Sequence, residues 1–377
     1  MGRNHTGVVK PLGTQGLWAR LPKGAGQEGR KVYLDDLRVL ATVFVVCVHT
    51  LELARTQLAP GTLSFQLAEV FHFIFLSCNL LFLMISGALL LPMEGERTGT
   101  FLTKRFSKVA IPFFVYYILY VCAKEGLGRL APGYWFTFLI RILSGPPIEA
   151  PHFWLIYVIL WLYLLTPFLR YLLQNIPDGV LSGVIFVIFA VSALDTYLPL
   201  FGMDAHVSPI VDSYAGVFIL GYYLSCRCTR RAENLMLAGG AISFAVTCYI
   251  FFSHGWYDAY VYNTAPTMML FTAALFVAAK RLAVRQKALC GLPGLISRYS
   301  FSILLIHWAA LHVIVKDFLH INVMSGGVVW GCLVMIVLTL LFSLVGGMII
   351  ELVLVQPLQR ALAACVRWGK RITPTAE

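Results

Sequence analysis

What most restricts the fold of this 377-residue chain is a succession of long apolar runs, parted by short clusters of charge, glycine and proline. They fall at about 36–56, 70–91, 108–123, 152–169, 179–197, 210–226, 234–253, 264–280, 300–318 and 328–355. A helix rises about 1.5 Å per residue and a bilayer core is about 30 Å thick, so roughly 20 apolar residues make one transmembrane helix. Inside hydrocarbon the backbone finds no water to bond, which leaves the helix as the conformation for such runs. With 59% hydrophobic and only 12% charged residues, the chain lies far from a soluble globular protein. The expectation is an all-α polytopic membrane helix bundle of about ten transmembrane helices, in one membrane domain over residues 33–358. A flexible basic cytoplasmic tail, 1–32, precedes it, and a basic cytoplasmic tail, 359–377, follows.

The distribution of the 29 Lys and Arg residues sets the orientation. With the N-terminus in the cytosol, nearly all of them fall in the tails or in cytoplasmic loops such as Arg97–Lys108, Arg227–Arg231 and Lys280–Arg298. Only Arg55, Lys124, Arg129, Arg141 and Lys316 fall on or near the other side. The positive-inside rule thus favours an even number of spans with both termini cytoplasmic. The net charge of +11 is explained by topology, and no nucleic-acid-binding pattern accompanies it. Nine scattered cysteines form no disulfide framework, Cys226 and Cys228 stand too close and isolated for a zinc site, and all nine are read as free. No HExxH motif or Cys/His cluster has metal-ligand spacing, so no metal is expected.

Two stretches between spans read as short helices. Tyr134–Leu143 is too short to cross and rich in aromatics, so it is expected as a re-entrant or interfacial helix ended by Gly145-Pro146-Pro147. Residues 287–298 are expected as a surface helix on the cytoplasmic side. Of the nine histidines, His72, His152, His206, His254, His312 and His320 fall toward the outer side, while His49 and His307 lie within spans.

The first span carries the chemistry. From Arg38 to His49 is eleven steps, about 1100° at 100° each, so both project from one helix face about 16 Å apart. Ionisable groups in hydrocarbon cost several kcal/mol, face a polar interior, and mark functional sites. Snorkelling of Arg38 and simple helix packing of His49 are the alternatives. Glu52, at i+3 from His49, is placed to orient its imidazole. A deep histidine can take a proton from a hydroxyl, and a cation nearer the cytosol can hold an anionic donor. On residues alone, a permease or flippase for a small polar molecule or lipid-linked sugar fits almost equally well.

Six segments occur in an order that resembles a known family. They are LDDLRVLATVFVVCVHT (34–50), FLMISG (82–87), FLTKRFSKVAIPFF (101–114), PHFWLIYVILWLYLLTPFL (151–169), FILGYYL (218–224) and LISRYSFSILLIHWAALH (295–312). Together they resemble the acyltransferase 3 family of bacterial integral-membrane O-acyltransferases. The chain departs from the pattern in lacking a glycine beside Arg38 and in placing Lys108 where a second arginine is usual. Lysine supplies charge but no bidentate fork. Glu351-x5-Pro357 matches the family's Glu-Pro ending imperfectly.

The resemblance implies transfer of an acetyl or other acyl group from cytosolic acetyl-CoA to a hydroxyl of a cell-surface glycan, in a bacterial cytoplasmic membrane. By matched position, His49 is the catalytic candidate, as general base or transient acyl carrier. Arg38, with Asp35 preceding it in the motif, would hold the donor or the developing negative charge. Arg105 and Lys108 would meet CoA phosphates. His152 and Trp154 are candidates to bind the acceptor sugar by hydrogen bonding and stacking, with an aromatic-belt role equally open. His307 is read as a helix-packing hydrogen-bonder more than a catalyst. The expected partners are acyl-CoA, a glycan or lipid-linked glycan acceptor and the bilayer, with no nucleic acid.

Overall fold

Each apolar run becomes a helix because buried backbone must satisfy its own hydrogen bonds. The computed structural model describes residues 31–93, 95–126, 128, 132–203, 213–254, 265–282 and 291–372. In chain order the helices are α1 (Val32–Arg55), α2 (Leu63–Leu76), α3 (Cys78–Leu90), α4 (Thr98–Glu125), α5 (Trp135–Ser144), α6 (Trp154–Asn175) and α7 (Asp178–Tyr197). There follow α8 (Ser213–Tyr222), α9 (Arg230–His254), α10 (Pro266–Leu282), α11 (Gly291–Ala309), α12 (Val328–Ile350) and α13 (Gln356–Ile372). No strand occurs among the described residues.

Among the described residues, eight helices are long and apolar enough to cross a membrane, counting α2 with α3 as one span, Leu63–Leu90. The sixth and eighth expected spans are α8, extended by a π-helical turn Tyr223–Arg227, and α10. Both are shorter than a full crossing within the described residues. The second span begins at Leu63, earlier than its apolar run suggests, because Thr62 caps it by accepting from the Phe65 N–H at 3.3 Å. At Ser77 that span breaks into α2 and α3, and the Ser77 hydroxyl donates back to the Ile74 carbonyl at 2.7 Å.

The separate surface helix expected at 287–298 needs correction. Residues 291–298 are the first turns of α11, and 287–290 lie outside the described residues. Pro293 does not interrupt α11 because it falls where a helix has no N–H bonds to lose. The short helix expected near Tyr134–Leu143 forms as α5, which ends at Gly145 with φ 133°. Phe138 anchors α5 edge-on against Tyr117 and Phe114 of α4. Residues 359–372, read from sequence as tail, continue as α13 after a π turn Glu351–Val355.

The bundle turns apolar side chains outward and packs a largely apolar core, with a smaller set of polar groups buried among it. Phe186 on α7, Tyr249 on α9 and Val337 on α12 are exposed, while Thr42, Thr50, Glu69, His72, His307, Thr339 and Ser343 are buried. At its centre α1 packs on α2, α3, α10, α11 and α12. The four described basic residues expected outside, Arg55, Lys124, Arg141 and Lys316, pair with Glu69, Glu149, Glu125 and Asp317. Cys47, Cys78, Cys122, Cys228, Cys248, Cys332 and Cys365 are free thiols, and Cys290 lies outside the described residues.

Candidate active site

The straight course of α1 separates its two functional groups, as the spacing requires. At one end the Arg38 guanidinium donates through Nη1 to Asp35 Oδ1 at 2.7 Å and to Ser297 Oγ of α11 at 3.4 Å. Ser297 in turn donates to the same Asp35 oxygen at 3.2 Å. This triangle ties Arg38 to a second helix and fixes its direction, which a snorkelling arginine would not need. Arg38, Arg105 and Lys108 line one cavity of about 310 Å³, together with Ser86, Tyr163, Ser300 and Leu304. Three cations converging on one space are suited to a polyanion.

Toward the other end, His49 Nδ1 lies 2.6 Å from Glu52 Oε2, the contact that the i,i+3 spacing anticipates. With the Nδ1–H donating to the carboxylate, the lone pair resides on Nε2, and the imidazole is set as a base in the manner of a histidine–carboxylate dyad. The second Glu52 oxygen lies 3.8 Å from His72, which neighbours Arg55, itself paired with Glu69. His72 is therefore a buried member of this network and not a side chain of the outer surface.

Two further histidines converge on His49. The His307 ring stacks on it with centroids 5.2 Å apart, and the His152 ring lies 4.7 Å from that of His307. The Trp308 indole borders both His49 and His152, at 5.1 and 5.9 Å. His307 donates from Nδ1 to the Leu304 carbonyl at 2.7 Å, and His152 from Nε2 to the Leu305 carbonyl at 3.2 Å. Each then keeps one bare ring nitrogen, His307 Nε2 and His152 Nδ1, buried without a protein partner. His49, Glu52, His152, Trp154, His307 and Trp308 line a second cavity of about 260 Å³, with Asn79 and Leu304. His152 thus sits within the bundle, 8% exposed, not on its rim. Trp154 lies against Tyr214, with centroids 5.6 Å apart.

The structure brings the candidate residues together in two groups, Asp35, Arg38, Arg105 and Lys108 in one, His49, Glu52, His152, Trp154 and His307 in the other. Sequence reasoning passed over Tyr120. Its hydroxyl donates to the Leu305 carbonyl at 3.2 Å and accepts from the Ala309 N–H at 3.1 Å, bridging an i,i+4 pair of α11. Directly after that pair the helix widens into a π stretch, Ala310–Phe318, a distortion common at functional sites. One tyrosine in an apolar helix gives no sequence signal of this. Tyr120→Phe is expected to lower stability by about 1 kcal/mol, because the Ala309 N–H loses this acceptor while the Leu305 carbonyl keeps His152. Melting of the purified protein in detergent, compared with wild type, checks this.

Among the described residues, no group of three or more His, Cys, Asp or Glu is placed to hold a metal ion. An imidazole–carboxylate pair and two more buried imidazoles around one cavity of a helix bundle are groups able to take and return a proton. A family model described as an acyltransferase domain matches residues 31–350, and the chain belongs to this acyltransferase 3 family. It is an acyltransferase of the membrane. The matched region runs from α1 to the end of α12 and holds every residue that lines the two cavities. No curated protein and no solved structure matches the chain.

Proposed function

We propose that this protein moves an acetyl group from cytosolic acetyl-CoA to a hydroxyl of an extracytoplasmic glycan, in the cytoplasmic membrane of a bacterium. The observation that carries this reading is the pair of cavities on α1, one lined by three cations and the other by three imidazoles, which share Leu304 as a wall. The cationic cavity suits the phosphates of CoA, and by the distribution of basic residues it opens toward the cytosol. The histidine cavity, with Trp154 and Trp308 beside its imidazoles, suits a sugar hydroxyl. The run of motifs resembles that of the enterobacterial common antigen O-acetyltransferase, which favours an envelope polysaccharide as acceptor.

In the direct form of the reaction, His49 Nε2 takes the proton from the acceptor hydroxyl as its oxygen attacks the thioester carbonyl. The C–O ester bond forms, the C–S bond breaks, and the proton passes from the imidazole to the departing thiolate, giving an O-acetyl glycan and free CoA. Glu52 stabilises the imidazolium in between, and Arg38 anchors the donor. Arg38→Lys is expected to raise the KM for acetyl-CoA about tenfold with a smaller change in kcat, since Asp35 and Ser297 engage only Nη1 and leave the other guanidinium N–H groups for the donor, where an ammonium offers fewer donors and no planar fork.

Purified protein given acetyl-labelled CoA and a panel of envelope glycans tests the proposal. Alkali-labile label on glycan, with an equal amount of free thiol, is the expected result. Intact acetyl-CoA, with an unmodified solute carried across a bilayer, would instead establish a permease.

A further inference from the structure

Among the described residues, Leu304 is the one that lines both cavities. It therefore stands between the cationic cavity and the cavity that holds His49. We propose that Leu304 is the specificity-determining residue for the donor, a fixed partition that admits a two-carbon acyl group to the histidine cavity and turns away longer chains. This inference rests on the reading above that the cationic cavity holds an acyl-CoA.

The partition is held from both sides. Its own carbonyl accepts from His307 Nδ1 at 2.7 Å, and the next carbonyl, of Leu305, accepts from both Tyr120 and His152 at 3.2 Å. A turn of helix tied by three side chains from α4, the start of α6 and α11 itself cannot swing aside at little cost. The Leu304 side chain is only 5% exposed, so close packing confines its own rotamers too. The wall therefore has a definite size, and a thioester that reaches past it meets an apolar edge close to the imidazoles. The histidine cavity, at about 260 Å³, is lined by Val45, Val48 and Leu76 as well as the rings, and must receive the acyl end and the acceptor hydroxyl together. An apolar wall discriminates between chains one or two methylenes apart by about 10- to 200-fold.

The experiment uses the full-length protein in detergent with a glycan acceptor, and acetyl-, propionyl-, butyryl- and hexanoyl-CoA as donors, with free thiol as the readout. Wild type is compared with Leu304→Ala, Leu304→Val and Leu304→Phe. The ratio of butyryl to acetyl transfer is expected to rise about tenfold or more in Leu304→Ala and by a smaller factor in Leu304→Val. Leu304→Phe is expected to depress transfer from every donor. If the alanine variant does not purify, the valine variant, one carbon smaller, carries the same test. A wild type that transfers acetyl, with smaller side chains at 304 that leave the chain-length ranking unchanged, overturns the partition and leaves the proposed function standing. A wild type that releases no thiol from any acyl-CoA overturns the proposed function itself, and the partition with it.

Discussion

Replacing His49 with alanine is expected to lower acyl transfer by about 10²- to 10⁴-fold, the usual contribution of a positioned general base. The side chain borders a cavity and is not among the fully buried groups, so its removal leaves α1 and its packing on five neighbouring helices in place. Unchanged melting in detergent together with lost transfer is the expected pair of results. Glu52→Gln is expected to cost less, because an amide still occupies the position 2.6 Å from Nδ1 but no longer stabilises an imidazolium. The two losses together are expected to be smaller than their product, since the residues act as one unit. If His49→Ala retained full transfer, one of the two neighbouring imidazoles would have to be the base, and the bare nitrogens of His152 and His307 are the next to test.

The largest structural effect is expected at two glycines where α3 and α8 approach each other. On α3, a Cβ on Gly87 would lie 1.8 Å from the Phe218 carbonyl oxygen of α8, and on α8 a Cβ on Gly221 would lie 2.1 Å from the Met84 carbonyl oxygen of α3. The clash in each case is with backbone, which cannot rotate out of the way as a side chain does. Helices in lipid associate by close backbone approach at small residues, with no hydrophobic drive between them. Gly87→Val or Gly221→Val is therefore expected to cost about 3 kcal/mol or more, above ordinary overpacking. The expected observation is loss of folded, monodisperse protein on size-exclusion chromatography. Gly99→Ala, on α4 with nothing within 4 Å of its Cβ, is the matched control and is expected to behave as wild type.

These glycines also show what a sequence reveals and what it hides. Both stand in segments that resemble the family, FLMISG and FILGYYL, yet neither segment discloses that the two touch. That is a fact of tertiary packing between spans more than a hundred residues apart. The relation of Arg38, His49 and Glu52 was legible because all three lie on one helix, where periodicity alone fixes direction and spacing. The convergence of His152 and His307 on His49 was not, since it needs three helices placed side by side. Hydropathy put His72 and His152 near the outer ends of their spans, but it does not distinguish a helix face turned to the interface from one turned into the bundle. Helix starts were misjudged for a related reason. The basic residues Lys104, Arg105 and Lys108 lower the local hydropathy of α4 without impairing its helicity, so the helix begins at Thr98, well before the apolar run.

The central claim is that one bundle joins a donor on the Arg38 side to an acceptor on the His49 side. Sealed proteoliposomes of known orientation, with acetyl-labelled CoA confined to the Arg38 face and glycan to the opposite face, test it directly. The account predicts labelled ester on the glycan side and free CoA on the donor side in equal amounts, with neither appearing for His49→Ala. Transfer only when donor and glycan share one compartment, or label that moves equally well in His49→Ala, would contradict it.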